Sequence, residues 1–507
     1  METAIVYTSG ALFLAAFLLR GVSKKQSSTD DSTFNGIDDG TANFAITRAL
    51  SLQNRYGHGL GCRHNFFLDF STATHLNHGS YGTAPRSVVR AAAREMEAIE
   101  SWPDDFMRRR ALGEVSRAAD ELGSLFFNAK PGSTVFVENA TVGVNAVLRS
   151  VAAMLPKGKS VLIFDHTYNA CKNAAYDMAE KAGLSTVTCM LPLPLPRGSK
   201  GTGSFADGLC ELLNATLTAE SGNVGLVLLD HITSPTGILM PVARLTAVAR
   251  KHGAMILCDG AHAPGQIADI NPSTLGVDWY VGNLHKWAFT LKGVAILWSS
   301  ETVQSATQGS IISHFWKLDY QARHFMQGTL DYSRYLSAIA GVSFATTALG
   351  GFKAIQNANT ALAEAGARIL EEAWWGKKIL PGKTLPRDLR LLSPDAITEG
   401  LSTPFLAVIR TPLNWRAWVR DSEGHDVQSI DDTQARAALL SDSGLPERIS
   451  NACLKQPGRV QSVFYAWAYG NDVTIWCRIS AQVYNTIEDY QALAHAVNAL
   501  KLSEGYL

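Results

Sequence analysis

The sequence predicts an α/β fold, in which a large domain with a mostly parallel sheet is followed by a smaller α+β C-terminal domain. Short apolar runs alternate with helical stretches up to about residue 345. This alternation is typical of a parallel sheet with helices on both faces. The runs are continuously hydrophobic, as expected for strands that are buried on both sides. We predict strands at 134–137, 160–164, 224–229, 254–258 and 293–298.

Helical patterns and changes of composition divide the chain into four parts. Helical stretches lie at 88–99 and 241–251, and the second begins with Pro241, a residue favoured in the first turn of a helix. A long helical pattern at 351–375 leads into a mixed region that ends in a helix near 489–500. We predict the following parts: an apolar segment 1–25, a flexible linker 26–43, a large domain with its N-terminal arm 44–345, and a small C-terminal domain 346–507.

Charge and cysteine content exclude several functional classes. The 45 basic and 45 acidic residues balance, so the chain offers no basic surface for a nucleic acid. The short basic run 108–110 is typical of a solvated helix face. The 7 cysteines are widely spaced and contain no CxxC pair. This pattern indicates reduced thiols in a cytosol-like compartment and argues against a disulfide framework or a metal site.

The N-terminal segment is a candidate membrane anchor. Residues 4–19 are almost wholly apolar and are followed by Arg20, Lys24 and Lys25. A membrane span needs about 20 apolar residues, and a secretory signal carries its positive charge before the apolar stretch, not after it. The positive-inside tendency predicts a protein that faces the cytosol and associates with a membrane through residues 4–19. An organelle-targeting segment and an incorrect start site are the alternatives.

Polar motifs follow the predicted strands at the edge where parallel sheets bind ligands. Taken singly, each has an ordinary explanation, such as a helix N-cap or a structural histidine. Together they make a strong set, because they come after successive strands. The motifs are 138–143 (ENATVG), 165–170 (DHTYNA), 230–237 (DHITSPTG), 259–262 (DGAH) and 285–287 (HKW).

Lys286 and Asp259 are the most informative pair in this set. Asp259 ends one apolar run, and Lys286 follows the next run 27 residues later (286 − 259). A lysine that forms a Schiff base and an aspartate that pairs with a pyridinium nitrogen are what pyridoxal phosphate (PLP) chemistry requires. Lys292 is a rival for the lysine role, but it lies at a strand start without polar neighbours. Arg478, in an apolar strand, offers a planar fork for a carboxylate, with a surface salt bridge as the alternative.

The chain resembles the class V branch of fold-type I PLP enzymes, and most closely isopenicillin N epimerase-like proteins. The resemblance runs from about residue 76 to residue 500. It implies a PLP-dependent transferase-like large domain with a seven-stranded type of sheet, an amino-acid-type substrate, and a homodimer with shared active sites. The motifs that carry it are 76–82 (LNHGSYG), 139–141, 165–168, 231–237, 259–262, 285–287, 327–331 (QGTLD) and 478–485 (RISAQVYN).

The resemblance also implies a role for each candidate site residue. Lys286 would bind the cofactor covalently and Asp259 would pair with its ring nitrogen. His166 would stack on the ring, and Tyr168 would compete for that place or act as an acid. The implied phosphate contacts are Ala140, Thr141, His285 and, from the neighbouring subunit, Thr329. The other implied contacts are Ser234 and His262 to the cofactor, and Arg478, Asn77 and Ser80 to the substrate.

Departures from related families narrow the reaction. Cysteine desulfurases resemble this chain but need a nucleophilic cysteine in a mobile loop shortly before the carboxylate-binding arginine. Residues 459–474 contain no cysteine, and Cys477 lies in an apolar run that predicts burial. Desulfurases also have asparagine in place of Ser234 and glutamine in place of His262. Three reactions remain open after removal of the Cα proton: reprotonation by an epimerase, β-elimination by a C–S lyase of the kind used in ergothioneine synthesis, and transamination.

Two other functional classes fit the sequence less well. A nicotinamide-dependent oxidoreductase needs a GxGxxG motif after an early strand, and the glycines at 201–203 follow a proline-containing loop instead. A non-catalytic, membrane-tethered scaffold would be favoured by loss of the lysine or the aspartate. Both Lys286 and Asp259 are present.

Overall fold

The structure is a computed structural model that describes residues 42–376, 389–419, 432–470 and 472–503. Its strands, β1 to β12 in chain order, are Thr74–His75, Thr134–Val137, Ser160–Phe164, Ser185–Cys189, Val224–Asp230, Met255–Asp259, Trp279–Asn283, Ala295–Ser299, Leu406–Arg410, Val460–Gln461, Val463–Tyr469 and Asp472–Ser480. Its longer helices are Ala42–Tyr56, Arg86–Ser101, Ala111–Phe127, Ala140–Met154, Asn169–Ala182, Phe205–Ala219, Val242–Lys251, Ala338–Leu349, Phe352–Trp375, Asp432–Ser441, Leu445–Leu454 and Ile487–Ser503.

A seven-stranded sheet forms the centre of the large domain, in the order β2-β8-β7-β6-β5-β3-β4. The pairs from β4 through β3, β5 and β6 to β7 are parallel, and β8 is antiparallel to both of its neighbours. The predicted mostly parallel α/β sheet is therefore confirmed. The prediction gave no separate strand at β4, because this edge strand is half exposed and three of its five residues are Ser or Thr.

Helices cover both faces of this sheet, as the alternation of side chains along β5 shows. Leu226 and Leu228 belong to the cluster that contains helices Ala140–Met154 and Asn169–Ala182. Val227 and Leu229 belong to the opposite cluster, with residues of helices Phe205–Ala219 and Val242–Lys251. Because successive strand residues point to opposite faces, a continuous apolar run needs a helical layer on each side.

A second, three-stranded antiparallel sheet, in the order β11-β12-β9, forms the centre of the C-terminal part. Its core cluster includes residues of the long helix Phe352–Trp375 and of helix Ile487–Ser503. Helix Ala42–Tyr56 joins the same cluster through Ala45 and Ala49. The chain thus begins its described part against the C-terminal core and then enters the large domain.

The predicted division after residue 345 falls inside helix Ala338–Leu349 and stays a prediction. This helix ends at Gly350 and Gly351, whose φ angles of 78° and 90° lie in the left-handed region that favours glycine. The chain turns there, and the axes of the two flanking helical segments differ by 71°. A change of chain direction between the two parts therefore occurs at these glycines.

No single helix in the described residues is long and apolar enough to cross a membrane. One bent pair of helical segments, 333–349 with 352–375, has the length and composition of a span when the two are taken together. The predicted anchor at 4–19 and the predicted linker at 26–43 lie outside the described residues, apart from the last two positions of the linker. Those two positions, Ala42 and Asn43, begin helix Ala42–Tyr56.

Candidate active site

A cavity of about 480 Å³ lies at the carboxyl ends of β5, β6 and β7. This size is within the range of about 300–1,000 Å³ that is usual for small-molecule sites. The parallel strands bring to one edge side chains that are far apart in the sequence, as expected for such a sheet. The predicted residues that line it are Ser80, Ala140, Thr141, Tyr168, Ser234, Asp259, His262, His285 and Lys286.

Lys286 lies in the short helix Leu284–Trp287, directly after β7, and its side chain is buried. Its Nζ lies 2.9 Å from His262 Nε2. Gly82 packs against this turn so closely that a Cβ atom there would lie 1.8 Å from the His285 carbonyl oxygen. Burial, and next the positive charge of Arg478, lower the Lys286 pKa to about 7. The amine is therefore substantially neutral near pH 7, the form that acts as a nucleophile or a base.

This lowered pKa predicts how the cofactor-free protein takes up PLP. We expect the uptake rate to rise as pH increases through about 7, because only the neutral Lys286 amine attacks an aldehyde. An ordinary lysine would show this rise near pH 10.4. Stopped-flow absorbance of the bound cofactor, recorded at pH values from about 5.5 to about 9.5, measures the uptake rate. A rate that still increases steeply above pH 9 would contradict the assignment.

Asp259 is the last residue of β6 and is almost completely buried. One carboxylate oxygen accepts the Ala261 N–H at 2.9 Å, and the other accepts the Cys171 thiol at 3.3 Å. Burial raises the Asp259 pKa. Within the described ranges, no cation forms an ion pair with this carboxylate. A cation placed against it would lower the pKa again, so the site suits a pyridinium nitrogen.

Asp230 is a site residue that sequence reasoning did not single out. It ends β5, pairs in register with Asp259 and lines the same cavity. One of its oxygens accepts the Thr167 hydroxyl at 2.7 Å. Burial, with the neighbouring Asp259 charge as a second cause, raises the Asp230 pKa to about 8. Two buried carboxyls side by side cannot both ionise readily, so Asp230 is neutral at pH 7. The signal available in the sequence was its strand-end position, which matches that of Asp259.

The N-terminus of helix Ala140–Met154 forms the end of the cavity that suits a phosphate. Asn139 caps the helix by accepting the Val142 N–H at 3.0 Å, and Asn283 accepts the Ala140 N–H at 2.8 Å. The Thr141 N–H and hydroxyl have no protein partner among the described residues. Unpaired N–H groups and the helix dipole favour an anion at this position. Asn283 was not predicted as a site residue.

The other two predicted phosphate contacts differ in position. His285 lines the cavity, and its Nδ1 lies 3.1 Å from the Val294 carbonyl oxygen, which leaves Nε2 on the other side of the ring. Burial lowers the His285 pKa to about 4, and an anion opposite the ring would raise it. Thr329 is exposed and does not line the cavity of its own chain. Its predicted contact is with the phosphate in the neighbouring subunit, and this contact stays a prediction.

The structure separates the two candidates for the ring-stacking position. Tyr168 lines the cavity, and 48% of its surface is exposed. His166 does not line the cavity; its ring packs against Trp467 at a centroid distance of 6.4 Å. His262 and Ser234 lie on the cavity wall and approach each other to 3.3 Å. His262 Nδ1 is buried without a partner among the described residues, while Nε2 is the ring nitrogen that contacts Ser234 and Lys286.

Arg478 is buried in β12, next to the cavity. Its Nη2 donates to Asn77 Oδ1 and to Ser80 Oγ, both at 3.1 Å, and its Nη1 donates to the Ser234 carbonyl. In the part of the chain that the structure describes, it forms no ion pair with a carboxylate, and its Nε has no partner. A buried guanidinium without a counter-charge is costly, and a substrate carboxylate would supply one.

Replacing this guanidinium tests the carboxylate assignment. Arg478→Lys should weaken substrate binding by about 10- to 100-fold, because an ammonium group cannot make two parallel hydrogen bonds to a carboxylate. Spectral titration of the PLP-loaded protein with an amino acid and with its decarboxylated amine measures the change. We expect the amine to bind the two proteins about equally. Equal weakening for both ligands would show that Arg478 does not bind the carboxylate.

Comparison with known proteins places the chain in a family. The family model "Aminotransferase class-V" matches residues 83–374, more than half of the chain. An L-cysteine desulfhydrase of Arabidopsis thaliana is 26% identical over 446 residues, which cover 84% of this chain and 87% of that protein. The isopenicillin N epimerase of Amycolatopsis lactamdurans is 32% identical over 229 residues, which cover 45% of this chain and 54% of that protein.

Solved structures share the fold. The cystine C–S lyase C-DES, in complex with its product cysteine persulfide, aligns with a TM-score of 0.58 and 15% identity, over 84% of this chain and 98% of that chain. The Escherichia coli cysteine desulfurase CsdA aligns with a TM-score of 0.57 and 17% identity, over 87% of this chain and 98% of that chain. At such low identity these likenesses show the fold alone.

The residues around the cavity fit PLP. Lys286 supplies an amine, Asp259 a buried carboxylate, and the helix at Ala140 an anion seat. His262, whose Nε2 lies 2.9 Å from Lys286 Nζ, adds a polar side chain on the same wall. PLP, when bound, withdraws electrons from the Cα atom of an attached amino acid. The chain therefore belongs to the class V aminotransferase family of PLP-dependent enzymes.

Proposed function

We propose that this enzyme is a C–S lyase that acts on L-cysteine or on an S-conjugate of L-cysteine. For a conjugate with substituent R, the reaction consumes one water: the Cβ–S bond breaks, and RSH, pyruvate and ammonia form. The observation that carries the proposal is the cavity that brings the buried Lys286 amine and Asp259 together beside Arg478, which forms no ion pair within the described ranges. The likeness to L-cysteine desulfhydrases over more than four-fifths of the chain supports this choice.

The side chains suit separate tasks in such an elimination. Arg478, held by Asn77 and Ser80, would fix the substrate carboxylate and so orient the Cα–H bond. The neutral Lys286 amine would remove the Cα proton, and its neighbour His262 would stabilise the resulting ammonium group. The Tyr168 hydroxyl lies on the same cavity and would donate a proton to the leaving sulfur.

The positions of the thiols argue against a desulfurase reaction, which needs a cysteine nucleophile. None of the cysteines in the described part of the chain lines the cavity. Six of the cysteines are buried, and the seventh, Cys210, is half-buried on helix Phe205–Ala219. Burial raises the pKa of Cys453 to about 12 and that of Cys477 still further, so neither is a reactive thiolate at neutral pH.

Epimerisation is the second candidate function. The isopenicillin N epimerase likeness, 32% over 229 residues, favours it, although it covers less than half of this chain. An epimerase needs a second acid–base group on the other face of Cα, and Tyr168 is the group on the cavity that would serve. Transamination is the third outcome, since the same Lys286 would move a proton in each case.

One experiment separates these reactions. The full-length PLP-loaded protein is incubated with L-cysteine, S-methyl-L-cysteine and L-alanine, and the products are assayed for thiol or sulfide, pyruvate, the D-enantiomer and keto acid. Thiol and pyruvate in equal amounts from the sulfur amino acids support the lyase proposal. The D-enantiomer without pyruvate, or keto acid that requires an amino acceptor, would replace it with the epimerase or the aminotransferase.

We further propose a homodimer that shares its active sites, with the exposed Thr329 directed to the partner, and a cytosol-facing protein anchored through residues 4–19. Sedimentation of the purified protein tests the homodimer. Fractionation of cells that express the full chain or a chain lacking residues 1–25 tests the membrane anchor. Recovery of both proteins in the soluble fraction would refute the anchor.

A further inference from the structure

We infer that Tyr465 is a stacking platform for a flat, ring-bearing S-substituent, so that the preferred substrates are S-aryl-type conjugates of cysteine instead of cysteine itself. This inference rests on the proposed lyase function and names its substrate class. It is carried by the register of the β11–β12 hairpin, by a column of stacked rings, and by the distance of that column from Arg478.

The register places Tyr465 on the same face of the small sheet as Arg478. Val463 pairs with Arg478, Tyr465 with Trp476, and Trp467 with Thr474. Paired residues in an antiparallel ladder share one face, and alternate residues along β11 share it too. The residues between them, Phe464 and Ala466, pack into the C-terminal core. The face that carries Tyr465 is therefore turned to the large domain, where the cavity lies.

Three rings form a column on this face. Tyr465 and Trp467 stack at a centroid distance of 5.0 Å with an interplanar angle of 13°. The His166 ring lies 6.4 Å from the same Trp467 ring, at 26°. Trp467 therefore has two ring neighbours, whereas Trp467 is the one ring that stacks on Tyr465 within the described ranges. A further ring can extend this stack on the Tyr465 ring.

The Tyr465 backbone lies close to that of Arg478, beside the cavity, although the Tyr465 side chain is not part of the cavity lining. Tyr465 is two residues along β11 from the position opposite Arg478, which is about 7 Å at the rise of a strand. Trp467 is about 13 Å away by the same measure. Tyr465 also interacts electrostatically with Tyr168, which lines the cavity. We therefore expect a substrate whose carboxylate is held by Arg478 to extend its sulfur substituent toward the Tyr465 ring.

The fit is to a planar substituent, because an aromatic face attracts another ring by offset stacking as well as by burial. Tyr465 and Trp467 are only half-buried, so the surface that a substituent would cover is accessible in the single chain. L-cysteine has a hydrogen where such a substituent would lie and leaves the platform unused.

Binding and turnover of matched ligands test the inference on the full-length PLP-loaded protein. Homophenylalanine, norvaline and 2-amino-4-cyclohexylbutanoate are carbon analogues that cannot undergo C–S cleavage. Calorimetry should show that homophenylalanine binds more tightly than both others. In Tyr465→Leu, which retains apolar bulk without a ring, this preference should fall by roughly 3- to 10-fold. The same loss is expected in the ratio of kcat/KM for S-phenyl-L-cysteine to that for S-methyl-L-cysteine.

Tyr176→Leu, at an exposed tyrosine (43%) on helix Asn169–Ala182 that does not line the cavity, is the control and should leave both ratios unchanged. Equal binding of the planar and the cyclohexyl ligand would overturn the platform, and so would an unaltered preference in Tyr465→Leu. Failure to cleave any cysteine conjugate would overturn the lyase proposal instead, while the calorimetric result would still decide whether Tyr465 binds rings.

Discussion

Lys286→Ala should yield a folded protein that cannot hold PLP covalently and that loses at least about 10³-fold in turnover, since a nucleophile and a proton-transfer group are removed together. The fold should persist because the Lys286 ammonium group is not stabilised by burial. Its pKa is lowered to about 7, so the charged form costs free energy in the folded state. For this residue alone, the folded state binds fewer protons than the unfolded state between pH 7 and about 10.4.

The lowered Lys286 pKa also makes the stability of the folded protein depend on pH, and this dependence can be measured. Because the unfolded state holds more protons in that window, the Lys286 contribution to the free energy of unfolding rises with pH and is lowest below pH 7. We therefore expect cofactor-free Lys286→Ala to be at least as stable as the cofactor-free parent at pH 6. Thermal unfolding of both proteins at pH 6 and pH 9 measures this. A large destabilisation at pH 6 would point to a structural role.

The identity of the covalent lysine is tested separately. Borohydride reduction of the loaded parent protein, followed by mass spectrometry of its peptides, should place the pyridoxyl group on Lys286. Lys292→Ala is the matched control, because Lys292 lies six residues further along the chain and outside the cavity lining. This variant should remain coloured and active. A pyridoxyl group on Lys292, or on any other lysine, would refute the assignment.

Much of the fold followed from hydrophobic patterning. The continuous apolar runs at 160–164, 224–229 and 254–258 became β3, β5 and β6 within one residue at either end. Such runs are informative because a strand buried on both faces has no polar side to interrupt it. The same rule missed β4, an edge strand with a half-exposed, Ser/Thr-containing sequence. Its pairing with β3 depends on a neighbour distant in sequence.

Site residues were predictable from the sequence where a motif ends a strand. They were not predictable where the pairing register of distant strands determines which side chains meet. Lys286, Asp259 and Arg478 could be named from local sequence because each follows or interrupts an apolar run. The Asp230–Asp259 pair and the contact of the Cys171 thiol with Asp259 arise from strands and helices that the sheet brings together. The position of Tyr465 on the Arg478 face likewise follows from hairpin register, which a one-residue shift would reverse.

Asp259→Asn should retain PLP but slow exchange of the substrate Cα hydrogen by about 10²- to 10³-fold, a typical loss when one preorganised electrostatic contact is removed. Asparagine keeps an oxygen for the Ala261 N–H, so the end of β6 should keep its shape. The amide has no negative charge, however, and cannot favour the protonated ring nitrogen that makes PLP an effective electron acceptor.

Asp230, the carboxyl next to Asp259, supplies the matched control for the Asp259 charge. Asp230 is as buried as Asp259, lines the same cavity and has a pKa raised to about 8, so it is neutral at pH 7. Asp230→Asn exchanges one neutral group for another, and we expect it to slow the exchange far less than Asp259→Asn does. Nuclear magnetic resonance of the substrate in heavy water measures both rates. Equal slowing in the two variants would mean that the charge of Asp259 is not what the reaction requires, and near-normal exchange in Asp259→Asn would make its role structural.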